Sequence, residues 1–289
     1  MSWAAEVGLR LAPQATGEGL GILANWVAAA VALDDLRCHM GFNSEPRDFL
    51  KLVLGLLYRV ERPEAGPMEP DPHPLCGAFV GLSQRVRAHA PVEQWRSWVS
   101  ALKNWLLGVT GESSLSVSDH LTLRTGAIRL THVLIEVAEG TVLPAAVSAE
   151  PAVRAATDAA YALVLIGSDL YSPRRELAAG TAAPNLVGLL MPPGGTVEDG
   201  IEAAVRLHDR IMVFYTSMVG QLTSGDDEQM RRYFEQLGHY VRASLDASVA
   251  SATSVKSVPG WALSPTDGSL TAPPIPAIAW WWDQLDRQS

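Results

Sequence analysis

The feature that most constrains this chain is the spacing of its apolar residues. They recur at threes and fours through Gly19–Met40, Arg47–Val60, Cys76–Ala90, Val92–Leu107, Val117–Ala138, Ala152–Leu170, Val197–Leu222 and Asp227–Ala252. An apolar residue every three to four positions makes one continuous stripe on a helix and scatters across both faces of a strand. No stretch alternates convincingly at twos, so the expected fold class is all-α. Length alone leaves the domain count open, and the pattern permits a single-domain helical bundle over residues 1–289. Between the periodic segments lie residues that helices reject: the proline-rich Arg62–Pro74, Gly180–Pro184, Pro192–Gly195 and Pro259–Pro276. Two helix starts carry capping patterns, Ser116 with Asp119 and Thr196 with Asp199. The tail, residues 272–289, holds Ile275, Ile278, Trp280, Trp281 and Trp282. That apolar content predicts packing back onto the body, as a short covering helix or as a lid over a pocket mouth.

Composition narrows the function classes. A net charge of −9 with no cluster of Lys and Arg argues against a nucleic-acid partner. The longest helix-compatible apolar run, Leu20–Leu33, is interrupted by Asn25 and falls short of a membrane span. No charged stretch leads into an apolar core at the N-terminus, so the expected compartment is the cytoplasm. There the two cysteines, Cys38 and Cys76, stay reduced, and they lack metal-ligand spacing.

The stretch that carries chemistry is Ser168-Asp169-Leu170-Tyr171-Ser172-Pro173-Arg174-Arg175-Glu176, directly after the apolar run Tyr161–Ile166. At about 100° per residue, positions 168, 172 and 176 share one helical face. Two hydroxyls and a carboxylate therefore point the same way. Hard oxygen donors in such a set suit Mg²⁺, which keeps several waters and commonly completes its octahedron with phosphate oxygens of a substrate.

These residues resemble the second metal-binding motif of class I terpene synthases: Asn or Asp, then Asp, an aliphatic residue, Ser or Thr, and Glu, often with a base before the Glu. Ser168 stands in the first place, Asp169, Leu170, Ser172 and Glu176 match, and Arg175 takes the basic place. The resemblance runs through most of the chain in family order. Trp26–Leu36, with Asp34 and Asp35, is similar to the helix bearing the aspartate-rich motif. Val117–Ala127, with Arg124, is similar to the helix bearing a diphosphate-sensing Arg. Asn185–Leu190, Val197–Val205 and Tyr240–Ser248 are similar to the later segments.

The resemblance implies a helical bundle around a central cavity, and a chemistry for it. An Mg²⁺-dependent class I terpene cyclase ionises an isoprenoid diphosphate of C15 or C20, including a labdane-type diphosphate, and steers the cation to a hydrocarbon or alcohol. It implies three Mg²⁺ ions. Asp34 bridges two metals and Asp35 supports that set, while Ser168, Ser172 and Glu176 hold the third. Arg124, Arg175 and Lys256 contact the diphosphate. Trp26, Phe214, Tyr215 and Trp261 are the aromatic candidates for a pocket lining that stabilises cations and excludes water. Homodimers are common among such enzymes.

The chain also departs from the family pattern. Cys38 and His39 stand where a third acid is usual. About thirty residues precede Asp34, fewer than usual, so part of the N-terminal helical layer is expected to be missing or rebuilt. No Arg-Tyr pair closes the last long helix, and Pro173 sits inside the motif, where it removes a backbone hydrogen bond. These departures keep open an alternative: a catalytically degenerate protein of the same fold that binds an isoprenoid or a protein partner. A prenyltransferase of related fold would show a second aspartate-rich motif, which is absent here.

Overall fold

The computed structural model describes residues 3–40, 46–65, 74–110, 116–171, 185–252 and 267–285; side chains at 34–40, 46, 107–110, 171 and 248–252 lie outside that description. All regular structure among the described residues is helical. No helix among them is long and apolar enough to cross a membrane. The chain forms two compact units, Met1–Gly111 with Arg129–Gly140, and Glu112–Ile128 with Thr141–Ser289.

The first unit contains α1 (Trp3–Leu11), α2 (Gly17–Met40), α3 (Pro46–Glu61), α4 (Pro74–His89) and α5 (Val92–Thr110), with the second half of α6 (Val117–Glu139). Helix α1 lies outside the periodic segments of the sequence. Helix α2 buries Ile22, Leu23, Trp26, Val27 and Leu33. Trp26 meets Phe79 of α4 and Trp105 of α5 edge-on, at centroid separations of 6.3 and 5.4 Å. Its indole N–H donates to Thr131 Oγ1 of α6 at 2.9 Å, so a large apolar side chain is buried with its one polar atom satisfied. Helices α2 and α6 approach so closely at Gly19 that a Cβ there would lie 2.6 Å from the Ala138 carbonyl oxygen. Ser83 of α4 ties neighbouring elements together, donating to the Val60 carbonyl at 2.8 Å and accepting from the Trp95 indole at 3.0 Å.

The second unit is built on α8 (Pro151–Tyr171), preceded by the short α7 (Ala145–Ser148). Every residue from Ala159 to Gly167 on α8 is buried. A helix apolar all round must be covered all round. Helices α10 (Val197–Leu222) and α11 (Glu228–Ala252) pack along it. Gly167 permits the approach of α11, because a Cβ there would stand 2.9 Å from Leu245 Cδ2. Both capping patterns form. Ser116 Oγ accepts from Asp119 N at 3.2 Å while the Asp119 carboxylate accepts from Ser116 N, and Thr196 and Asp199 make the reciprocal pair that starts α10.

Between α8 and α10 comes the short α9 (Leu186–Leu190), and the tail contributes α12 (Pro276–Ala279) and a 3₁₀ turn at Trp282–Gln284. Trp281 and Trp282 are buried and lie against Phe214 of α10, at centroid separations of 6.1 and 4.7 Å. Arg210 of α10 pairs with Asp267 at the start of this segment. The Ser269 backbone N–H and the Arg210 guanidinium hold that carboxyl below its ordinary range.

Candidate functional site

The end of α8 is where the sequence motif begins, and the helix turns its two first residues in opposite senses. Asp169 is 4% exposed, whereas the adjacent Ser168 is exposed. The Asp169 carboxylate oxygen Oδ2 accepts from His120 Nε2 of α6 at 2.9 Å and from the Leu186 backbone N–H of α9 at 3.0 Å. Asn185 returns the contact: its Nδ2 donates to the Asp169 carbonyl at 3.1 Å, and its Oδ1 accepts from Val187 N at 2.8 Å as the N-cap of α9. One carboxylate and one amide therefore join the end of α8, the start of α9 and the first turn of α6. The carbonyl at the end of α8 and the N–H groups at the start of α9, which helices leave without partners, are satisfied by the same pair of residues.

With Asp169 occupied by structural hydrogen bonds, Ser168 is the outward-facing oxygen donor at this end of α8. A hydroxyl on an exposed face is a hard oxygen ligand of the kind Mg²⁺ takes, and the donor chemistry fits a divalent cation. Ser172, Arg175 and Glu176, which complete the motif, lie outside the described residues, as do Lys256 and Trp261. Asp34 and Asp35 lie on α2 directly after the buried Leu33, with side chains outside the described set. Among the described residues, no three His, Cys, Asp or Glu side chains cluster as a metal site.

Arg124 is half-buried on α6, one helical turn beyond His120. Trp26 sits among Phe79, Trp105 and Thr131. Phe214 is 0% exposed under the two tail tryptophans. Tyr215 is buried, with its hydroxyl 3.5 Å from the Phe234 carbonyl, and burial pushes the phenol above its ordinary range. One turn before Ile211 on the same helix, burial lowers the His208 imidazole, a shift that Asp209 opposes. Cys76 is buried in α4.

Sequence reasoning missed His120. The partner of this lone histidine is 49 residues away, and nothing local marks it. Asn185 was visible only as part of a segment similar to a family loop, and its cap on α9 is the physical reason for an Asn there.

Comparison with known proteins places these residues in context. The profile of the family described as terpene synthase family 2, C-terminal metal binding, matches residues 25–213, which include Asp34, Arg124 and the whole stretch Ser168–Glu176. Bonnadiene synthase of Allokutzneria albata is 29% identical over 261 residues, covering 82% of this chain and 71% of that enzyme. The (+)-T-muurolol synthase of Streptomyces clavuligerus, described as (2E,6E)-farnesyl diphosphate cyclizing, is 26% identical over 292 residues, covering 94% and 69%. The crystal structure of SVS_A2, a protein from ancestral sequence reconstruction, superposes with a TM-score of 0.79 at 26% identity, covering 97% of this chain and 84% of that one.

Proposed function

We propose that this chain, which belongs to terpene synthase family 2 and is an enzyme of that class, ionises a C15 or C20 isoprenoid diphosphate in an Mg²⁺-dependent reaction and cyclises or rearranges the carbocation to a terpene hydrocarbon or alcohol. The observation that carries this reading is that a metal-binding family profile spans both acidic segments singled out by their residues, Asp34–Asp35 and Ser168–Glu176. The class I α-fold of the structural neighbours agrees with it. Both sesquiterpene and diterpene synthases occur among the relatives, which is why the substrate is given as C15 or C20, with a labdane-type diphosphate as the bicyclic C20 variant.

In this reading Asp34 and Asp35 ligate metal from the end of α2, and Ser168, Ser172 and Glu176 ligate metal from the end of α8 onward, for three Mg²⁺ ions with diphosphate bound. The metal supplies neutralisation of the charge that develops on the departing diphosphate. Arg124, Arg175 and Lys256 add charge-assisted hydrogen bonds to the same oxygens, and a guanidinium fork suits them in geometry as well as charge. The bond's electrons leave with the diphosphate, and the carbocation left behind is open to attack by water. Aromatic faces drawn from Trp26, Phe214, Tyr215 and Trp261 attract it, and an apolar wall keeps water from quenching it.

The test is a titration of Mg²⁺ against diphosphate release from farnesyl and geranylgeranyl diphosphates, with Asp34→Ala and Glu176→Ala beside the unaltered protein. The reading requires release that needs the metal and falls by about 10²-fold or more in each variant, the scale seen when electrostatic stabilisation of a leaving group is removed. Release that persists at full rate in chelator, or in both variants, contradicts it.

A further inference from the structure

His120 is a buried polar group that the proposed site does not use. It is completely buried, its Nε2 is bonded to the Asp169 carboxylate, and its Nδ1 is buried with no hydrogen-bond partner among the described residues. A carboxylate accepts only, so the ring donates from Nε2, and in the neutral ring the unpartnered Nδ1 is an orphaned lone pair. Burying a carboxylate and leaving a ring nitrogen unsatisfied are both unfavourable compared with packing two apolar side chains there. Stability alone does not account for this pair. An orphaned polar atom in a native interior calls for another reason.

The geometry supplies one. Consecutive residues on a helix point about 100° apart, so the rotation of α8 that turns Asp169 inward is the rotation that turns Ser168 outward. The two donors on Asp169 Oδ2, from His120 at 2.9 Å and Leu186 N at 3.0 Å, fix that rotation from two sides. His120 and Arg124 are four residues apart on α6 and lie one above the other on one face. A single buried hydrogen bond thus ties the turn that carries Arg124 to the turn that carries Ser168. Both turns belong to the same compact unit.

We propose that His120 is a positioning residue: through Asp169 it sets the rotation of the last turn of α8, and so the aim of the Ser168 hydroxyl, relative to Arg124. This rests on the reading of Ser168 as a metal donor and Arg124 as a diphosphate contact. Neither His120 nor Asp169 touches metal or substrate in this account. They act as the outer partners of ligands do in other metal sites, where loss of such a partner weakens metal binding by about 10–100-fold.

The experiment measures binding rather than turnover. Free Mn²⁺, as the probe for Mg²⁺, is followed by electron paramagnetic resonance in the presence of inorganic diphosphate, and melting curves are recorded on the same samples. His120→Phe keeps the ring and removes the donor; the expected result is Mn²⁺ affinity about 10-fold or more below that of the unaltered protein. His120→Gln presents an amide N–H at the reach of Nε2, and its affinity is expected to stay within about threefold of the unaltered protein. Thr157→Val breaks the half-buried hydroxyl contact of α8 with Tyr233, 3.0 Å, and is expected to lower the melting temperature without changing affinity. Affinity in His120→Phe equal to that of the unaltered protein overturns the inference, as does an affinity loss that merely follows melting temperature across all three variants. If His120→Phe does not fold, Asp169→Ala decides: it removes the acceptor that holds both donors, and unchanged affinity there overturns the inference as well. Ser168→Ala separates the two levels. If the unaltered protein binds Mn²⁺ and Ser168→Ala binds it equally well, the metal reading itself fails; a loss in Ser168→Ala with none in His120→Phe removes only the positioning role.

Discussion

Glu136 is half-buried on the second half of α6, in the first unit, and burial pushes its carboxyl up to about 8 from the ordinary value of 4.5, with the positive charge of Arg129 opposing the shift. The native state therefore holds a proton at neutral pH that the unfolded chain has released. A folded value above the unfolded one means that the full stability is present below about pH 4.5 and is lost progressively as pH rises toward 8. At about 1.4 kcal/mol per pH unit, the 2.5 units between 4.5 and pH 7 amount to roughly 3.5 kcal/mol, and partial exposure trims this to on the order of 2 kcal/mol. Glu136→Gln carries a neutral side chain of nearly the same shape at every pH. Urea unfolding of both proteins at pH 4.5, 6, 7 and 8 should give equal stability at the acid end. The variant should pull ahead by about 2 kcal/mol at pH 7 and more at pH 8. A difference between the two proteins that does not change with pH refutes the reasoning, because pH-independent gain would come from packing rather than from the proton.

Other consequences are as direct. Trp282→Ala removes the ring that lies 4.7 Å from Phe214, and a loss of about 3–5 kcal/mol is expected in urea unfolding, a large part of the roughly 5–15 kcal/mol that holds a domain together. Gly19→Ala and Gly81→Ala should have opposite signs: at Gly19 the new Cβ meets the Ala138 backbone, for a loss of about 1–3 kcal/mol, while at Gly81 nothing lies within 4 Å and helix propensity favours Ala by up to about 1 kcal/mol. Equal effects in thermal melts would contradict the close approach of α2 and α6. Thr196→Ala removes the side-chain half of the cap on α10 and should lower stability by about 1 kcal/mol, with no such loss for the exposed Thr216→Ala in the middle of the same helix.

The helices were legible because the apolar period is a local property repeated over many turns, and both capping pairs were legible because their partners stand three residues apart. Helix α1 was not: its nine residues span too few turns for the period to stand out. The metal motif could be read as far as its order of residue types, from Ser168 to Glu176. What the sequence does not encode locally is the burial of individual members. Asp169 and Ser168 are neighbours in sequence, yet one is consumed by His120 and Leu186 while the other faces outward. Nothing in the sequence singles out Glu136, because its raised pKa comes from burial in the fold. Long-range pairs such as His120 with Asp169 and Trp26 with Thr131 depend on which helices become neighbours, and a pattern of period 3.6 carries no information about that.

Product analysis distinguishes the proposed Mg²⁺-dependent conversion of an isoprenoid diphosphate from binding alone. Purified protein is incubated separately with geranyl, farnesyl, geranylgeranyl and copalyl diphosphates, with Mg²⁺ or with chelator, and the extracts are separated by gas chromatography with mass spectrometry. A terpene hydrocarbon or alcohol is expected from a C15 or C20 substrate, present with Mg²⁺ and absent with chelator. Intact diphosphates recovered from all four incubations with Mg²⁺, from protein that binds inorganic diphosphate, would contradict it.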